Sequence, residues 1–229
     1  MRTAALIVAG GEGKRFGSPL PKQFLKLAGK EIFIRSVEIF RHSASISKIV
    51  LVMHPNWLEK AVKILSDLGL KDVEVVPGGS NRQRSVYNGL VALRKYNPEV
   101  VMIHDAARPL FDKGQIVEIL GLIKRGTGVV VAEKLVDTLY FVENNYVIDI
   151  PDRTKLWKAQ TPQCFIFEEI LEAHTRAKED SLNNATDDAS LYMKYVGRIK
   201  LIDSNSPNFK ITSPSDLHLA ECYLKSVNQ

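Results

Sequence analysis

Five apolar runs set the rhythm of the chain. "TAALIVA" (3–9), "KIVLVM" (48–53), "VEVV" (73–76), "VVMIHD" (100–105) and "GVVVAE" (128–133) are short, rich in β-branched residues and show no in–out alternation. Strands apolar at successive positions are buried on both faces, as in a parallel sheet covered by helices. Between them, Leu58, Ala61, Val62, Leu65 and Leu68, and later Val86, Leu90 and Leu93, recur with the period of a helix. Alternating strand and helix predict right-handed crossovers and a doubly wound, mostly parallel, Rossmann-like α/β sheet. No repeat or linker interrupts the pattern, so residues 1–229 read as a single domain. Such sheets bind ligands beyond the carboxyl ends of their strands. The loops after Ala9, Val76 and His104 are therefore the places to look for function.

Residues 135–160 break the rhythm. "LYFV" and "YVIDI" flank "ENN", the pattern of a β-hairpin with Asn at its turn. "LYFV" is apolar on both faces, where a one-sided hairpin would alternate. The segment therefore predicts a protruding arm that packs against something on each side, with a second subunit as the expected partner. Near the end, "SPSDLHLAECYLK" predicts a helix with Ser213 as N-cap, Pro214 in its first turn, Asp216 closing a capping box, and Leu217, Ala220 and Leu224 as its apolar face. "ATDDASL" (185–191) predicts a Thr-capped helix start, with Asp187 and Asp188 as structural acids at its positive end.

Composition narrows the function classes. No apolar run reaches the roughly 20 residues of a membrane-spanning helix. "MRTAALIVAGG" lacks the length and cleavage site of a signal peptide, so it reads as a buried first strand of a cytoplasmic protein. Cys164 and Cys222 form no disulfide framework or metal spacing and are expected to be reduced core thiols. The net charge of +5 suits anionic ligands, but its cations are scattered among acids with no nucleic-acid-binding motif.

The candidate chemistry lies in four loops. After the first strand come Gly10, Gly11 and Gly13, then Lys14 and Arg15. Glycines allow backbone N–H groups to approach an anion closely. The Walker pattern fails because Arg15 follows Lys14, and the dinucleotide fingerprint fails because Phe16 stands where a glycine is needed. Lys22 follows, its approach stiffened by Pro19 and Pro21. "PGGSNRQRSV" (77–86) places Gly78 and Gly79 before a helix capped by Ser80 or Asn81 and carrying Arg82 and Ser85. "IHDAARP" puts a costly polar pair, His104 and Asp105, at the end of an apolar strand beside Arg108. "NFKIT" sets Lys210 in a short apolar stretch. Together, glycine turns and cations beyond several strand ends favour a nucleoside triphosphate or another polyanion.

The ordered set "AGGEGKRFGSPLPKQF", "PGGSNRQRSV", "HDAARP", "VDT", "DR…W…TPQ", "TDDASL" and "NFKIT" resembles the 2-C-methyl-D-erythritol 4-phosphate cytidylyltransferases across nearly the whole chain. The resemblance implies a nucleotidyltransferase-type fold and transfer of CMP from CTP to methylerythritol phosphate, with Mg²⁺. It implies a homodimer through the 135–160 arm, and neither a nucleic-acid partner nor a membrane. It assigns Arg15, Lys22 and Lys210 to catalysis, Lys22 steadying charge at the α-phosphorus. Ala9, Gly10, Gly11 and Gly13 would hold the triphosphate, and Gly79, Ser80, Arg82 and Ser85 the cytidine. Asp105 with Ala106 would contact ribose, and Asp105 would help orient Mg²⁺. Arg108, Thr138, Arg153, Thr161 and Asp105 would hold methylerythritol phosphate, Thr138 and Arg153 reaching the partner's site. Arg84 and Met193 depart from the family pattern, which commonly has Asp and an acidic residue there. A cytidylyltransferase for ribitol 5-phosphate or another polyol phosphate is the alternative in the same class. A nicotinamide-dependent oxidoreductase and a nucleotide-binding module without turnover are the alternatives outside it.

Overall fold

The structure, a computed structural model, describes residues 1–11, 16 and 20–227. Its centre is a seven-stranded sheet. In chain order the protein's strands are β1 (Thr3–Ala9), β2 (Lys26–Leu27), β3 (Lys30–Glu31), β4 (Ile46–Met53), β5 (Glu74–Pro77), β6 (Val100–Asp105), β7 (Thr127–Lys134), β8 (Phe141–Glu143), β9 (Tyr146–Asp149), β10 (Trp157–Ile166) and β11 (Arg198–Asp203). The helices are α1 (Ile32–Arg41), α2 (Leu58–Asp67), α3 (Arg82–Leu93), α4 (Gln115–Leu122), α5 (Phe167–Glu179), α6 (Asp188–Tyr195) and α7 (Pro214–Val227). The sheet order is β11-β7-β10-β6-β1-β4-β5. Every neighbouring pair is parallel except those of β10, which runs antiparallel to both β6 and β7.

The five predicted apolar runs are β1, β4, β5, β6 and β7. The alternation of side chains along β1 explains why both faces need cover. Ala5, Ile7 and Ala9 join a core with Phe33, Ile34, Val37 and Phe40 of α1 and with residues of α2 and α4. Ala4 and Leu6 point the other way, against Val86, Leu90 and Leu93 of α3 and residues of α5 and α6. Fully burying each of the larger side chains contributes roughly 1.5–3 kcal/mol, so the two faces together hold the sheet. This is the doubly wound architecture expected.

Four details differ from expectation. On α2, Ala61 and Leu65 are buried but Val62, and Leu68 just past its end, are half exposed, because the helix covers the edge of the sheet with a narrower stripe. Cys164 is buried in β10, whereas Cys222 is exposed on α7 and is not a core thiol. The cap of α6 is Asp187, whose side chain accepts from the Ser190 N–H at 3.0 Å, rather than Thr186. Residues 157–160, read as the end of the arm, belong to β10 and pair with β7 at Lys134, Glu133 and Ala132. The hairpin itself is present as β8 and β9, a two-stranded sheet of its own. Asn144 and Asn145 turn it at φ 49° and 67°, a left-handed pair that Asn tolerates better than most residues.

The C-terminal helix matches its prediction. Asp216 N–H donates to Ser213 Oγ and Asp216 Oδ2 accepts from the Ser213 N–H, the reciprocal capping box. Ala220, with Leu217 and Leu224, packs against Leu27, Ile32 and Ile211.

Glycine at position 89 sets how closely α3 approaches the sheet, since a Cβ there would collide with Leu6 and Val52. Gly89→Val is expected to destabilise the protein by about 1–3 kcal/mol through overpacking. Gly121→Ala, on α4 where a Cβ meets nothing, should stabilise it by up to about 1 kcal/mol. Urea titration of both variants checks the pair.

Candidate active site

The carboxyl ends of β1, β5 and β6 open into one cavity of about 610 Å³. Ala9, Gly10 and Gly11 line it from the β1 end, and Gly79, Ser80, Arg82 and Ser85 from the turn into α3. Asp105 and Ala106 close it from the β6 end, and Lys22 and Lys210 complete the wall. Residues from all four candidate loops thus meet, although 201 positions of chain separate Ala9 from Lys210.

The turn after β5 is shaped by Ser85. Its hydroxyl accepts from the Gly79 N–H at 3.0 Å and donates to the Asn81 carbonyl at 2.8 Å. Asn81 caps α3, its Oδ1 accepting from the Arg84 N–H at 2.8 Å. Glycine is required at 79, where a Cβ would lie 2.5 Å from that of Arg84.

Asp105 is the electrostatic hub. Lys210 Nζ lies 2.7 Å and Arg108 Nε 3.9 Å from its Oδ2, and Arg82 Nε lies 3.2 Å from its Oδ1. Burial pushes the Asp105 carboxyl up, but Arg82, Lys210 and Arg108 outweigh it and hold the group well below the usual carboxylate range. Arg82 also donates from Nη1 to Asp188 Oδ2 at 2.8 Å, and Asp188 Oδ1 lies 3.1 Å from His174 Nε2. Burial disfavours charge on Arg82, yet Asp188 and Asp105 raise its pKa further, so it stays a cation.

Lys210 is positioned by its neighbours. The Ile211 N–H donates to the Ala107 carbonyl at 2.8 Å, and Lys22 Nζ donates to the Ile211 carbonyl at 2.7 Å. Arg108 Nη1 donates to the Asn208 carbonyl at 2.8 Å, and Asn208 Nδ2 to the Thr161 carbonyl at 2.7 Å. Two polar side chains expected to hold substrate, Arg108 and Thr161, are also bonded within the frame. Arg108 lies outside the cavity lining and braces the segment carrying Lys210. Thr161 is buried, its Oγ1 accepting from the Asp105 N–H at 3.0 Å and lying 3.1 Å from His104 Nδ1. Burial lowers the His104 pKa to about 4, so it is a neutral strut.

Thr138 and Arg153 lie outside this cavity, on the exposed arm, where Arg153 Nη1 donates to the Val136 carbonyl at 2.8 Å. Gly13, Lys14, Arg15 and Pro19 fall outside the described residues. Arg84 and Met193 are absent from the cavity wall, and Met193 is exposed on α6. Among the lining residues Val8, Gln23, His54, Ala107 and Thr212 had no signal that singled them out, and Asn81 was foreseen only as a cap. Asp188 and His174 act from behind the wall, and only the buried pairing reveals them.

Among the described residues no group of three or more His, Cys, Asp or Glu stands ready for a metal ion, and no helix is long and apolar enough to cross a membrane. A mostly parallel sheet with glycine turns and cations converging beyond its carboxyl ends defines an α/β protein of the nucleotidyltransferase type. Residues 3–226 match the family model of 2-C-methyl-D-erythritol 4-phosphate cytidylyltransferase (IspD), and the chain belongs to that family. The Petrotoga mobilis protein of that name is 42% identical over 95% of this chain and 96% of its own. The one from Geobacillus kaustophilus is 35% identical over 99% and 98%. Among solved structures, 4-diphosphocytidyl-2C-methyl-D-erythritol synthase of Anaerococcus prevotii superposes with a TM-score of 0.84 at 25% identity, covering 98% of this chain and 96% of that one. The Thermus thermophilus cytidylyltransferase gives 0.77 at 28%, covering 98% and 100%.

The Arg82–Asp188 pair carries a stability consequence. Removing one partner of a buried ion pair typically costs about 3–5 kcal/mol. Asp188→Ala is expected near the lower bound, about 3 kcal/mol at pH 7, because Arg82 keeps Asp105. Burial raises the Asp188 carboxyl, but Arg82 and His174 bring it below its ordinary 3.8. A carboxyl depressed by folding stabilises above its unfolded pKa and loses that contribution as pH falls through the folded value. The gap between wild type and variant in urea should therefore narrow below about pH 3.8. A gap under about 1 kcal/mol at pH 7 would show the pair to be inert.

Proposed function

We propose that the protein transfers the CMP group of CTP to the phosphate of 2-C-methyl-D-erythritol 4-phosphate, giving 4-(cytidine 5′-diphospho)-2-C-methyl-D-erythritol and pyrophosphate, as a cytoplasmic enzyme of isoprenoid precursor synthesis. The observation that carries this reading is the convergence of Lys22, Arg82 and Lys210 with the Gly10–Gly11 and Gly79 turns around one cavity, in a chain of this family.

The reaction suits these residues. An oxygen of the acceptor phosphate attacks the α-phosphorus. The bond from that phosphorus to the bridging oxygen breaks, and its electron pair leaves with pyrophosphate. A phosphate monoester has its second pKa near 6 and is largely a dianion at neutral pH, so no base need remove a proton. The work left to the protein is to bring two polyanions together and steady the charge on the five-coordinate phosphorus. Lys22 and Lys210 stand on the cavity wall to do this, with Arg15 assigned to the same task by the family resemblance. Gly10 and Gly11 would flank the triphosphate, Arg82 and the Ser85-braced turn the nucleoside.

Asp105 is the carboxylate that lines the cavity among the described residues, and Arg82, Arg108 and Lys210 already engage it. One carboxylate fits Mg²⁺ that arrives on the triphosphate rather than in a protein cage. When bound, that ion would neutralise phosphate charge.

The arm completes the proposal. Phe141, Val142, Tyr146, Val147, Ile148 and Ile150 are each 52–77% exposed on its strands and flank. An apolar patch of this kind marks a protein interface. We assign the arm to a homodimer in which Thr138 and Arg153 reach the acceptor side of the partner's cavity.

Pyrophosphate release from CTP and Mg²⁺ tests the reaction. Fast release with methylerythritol 4-phosphate and not with ribitol 5-phosphate is expected; the reverse would move the enzyme to the polyol alternative. Lys22→Ala should lower kcat by about 10²–10³, the usual loss for a preorganised charge stabiliser, and a near-normal kcat would remove Lys22 from that role.

For the arm, Tyr146→Lys with Ile148→Lys is expected to give monomers in sedimentation velocity and to abolish turnover. A fully active monomer would exclude sharing of the site.

A further inference from the structure

A loop that receives a polyanion has a problem of its own. Each peptide carries a carbonyl oxygen as well as an N–H, and an oxygen turned toward phosphate repels it. Where β1 ends, two such oxygens belong to Ala9 and Gly11, both residues of the cavity wall. One side chain takes both. Gln23 Nε2 donates to the Ala9 carbonyl at 3.0 Å and to the Gly11 carbonyl at 3.0 Å. An amide nitrogen has two hydrogens, and here each has its own acceptor.

Gln23 is suited to this task by its setting. It is only 3% exposed and sits in a tight 3₁₀ turn, Lys22–Phe24. Phe24 anchors that turn in the core, its ring centroid 5.4 Å from Phe33 and 5.5 Å from Trp57. On the other side, Lys22 reaches the Ile211 carbonyl beside Lys210. Three consecutive residues thus join the hydrophobic core, the glycine turn and the lysine-bearing segment.

We propose that Gln23 is a positioning residue for the triphosphate. It ties the Ala9 and Gly11 carbonyls away from the ligand and so fixes the peptide planes of the β1 turn. A trans peptide is rigid, so holding its oxygen sets the N–H on its opposite edge. No other side chain of this length does the same. Glutamate would set a carboxylate against two carbonyl oxygens, and methionine would leave both without a donor. The proposal rests on the nucleotidyl-transfer reading of this cavity.

The test compares wild type with Gln23→Glu and Gln23→Met. CTP affinity is measured by calorimetry, the KM values for CTP and methylerythritol 4-phosphate by pyrophosphate release, and Tm by calorimetric melting. Leaving buried acceptors unpaired predicts a rise of about ten- to a hundredfold in the CTP Kd and KM. The KM of the acceptor should change by less than about twofold, because both hydrogen bonds of the Gln23 amide go to the β1 turn. A merely structural role would lower Tm without separating the two substrates. Wild-type CTP affinity in either variant, or an equal rise in both KM values, overturns the proposal. Should neither variant fold, the wild-type side-chain amide decides in ¹⁵N NMR: two hydrogens protected from solvent exchange are expected, and rapid exchange overturns the assignment. A wild-type enzyme that binds CTP but releases no pyrophosphate would defeat the reaction while leaving Gln23 to be judged on Kd.

Discussion

The buried carboxylate of Asp105 is the constraint around which the site is organised. It stands at the end of β6, a strand whose every residue is buried, and a charge there is costly without partners. Lys210, Arg82 and Arg108 supply them from the C-terminal segment, from α3 and from the loop after β6. Each of these elements is held at the cavity partly by its bond to one side chain. A buried ion pair adds little net stability compared with an apolar replacement, but a broken one is expensive. That asymmetry suits a catalytic wall: it tolerates one arrangement of cations and penalises the rest.

The second layer of the site manages polar groups that would otherwise face the ligand or stand unpaired. Ser85 ties the Gly79 N–H back onto α3, Gln23 takes two carbonyls from the β1 turn, and Asp188 holds Arg82 from behind. Thr161 and Asn208 brace the stretch between β10 and Lys210. The bonds of Asp188, Thr161 and Asn208 join residues 47–106 positions apart, so they depend on the sheet being assembled first. The antiparallel β10 matters for this reason. It inserts between β6 and β7 and brings Thr161 against Asp105 and Gln163 against the start of α6, whose Asp188 and Ala189 N–H groups donate to Gln163 Oε1.

Legibility in the sequence follows from the range over which each feature acts. The parallel strands were readable because burial on both faces leaves a local mark, the unbroken apolar run. The α7 capping box and the Asn turn of the hairpin were readable because their chemistry lies within four residues. The glycine turns and Lys22 and Lys210 could be singled out as candidates, but only the ordered resemblance gave them roles. Asp188 was read as a helix-end acid, because nothing near it indicates Arg82, 106 positions away. Gln23 carried no mark beside the more conspicuous Lys22. Residues 157–160 were assigned to the arm because the strand they begin is told from the hairpin only by its pairing with β7.

The proposed function divides the labour between a protomer's own cavity and its arm. The described wall gathers the glycine turns after β1 and β5 with Lys22, Arg82 and Lys210, the side proposed for the nucleotide. Arg108, the cation expected on the acceptor side, donates from Nη1 to the Asn208 carbonyl and lies 3.9 Å from Asp105, while its buried Nε has no hydrogen-bond partner among the described residues. In the proposed dimer further polar groups come from Thr138 and Arg153, which stand on an exposed arm whose apolar faces remain open within the protomer. A shared site would use both features at once. Covering the arm's hydrophobic surface would drive association, and the same contact would deliver Thr138 and Arg153. In the proposed dimer the arm's hydrophobicity would therefore serve catalysis as much as assembly, because the contact that buries it is the one that brings Thr138 and Arg153 to the partner's cavity.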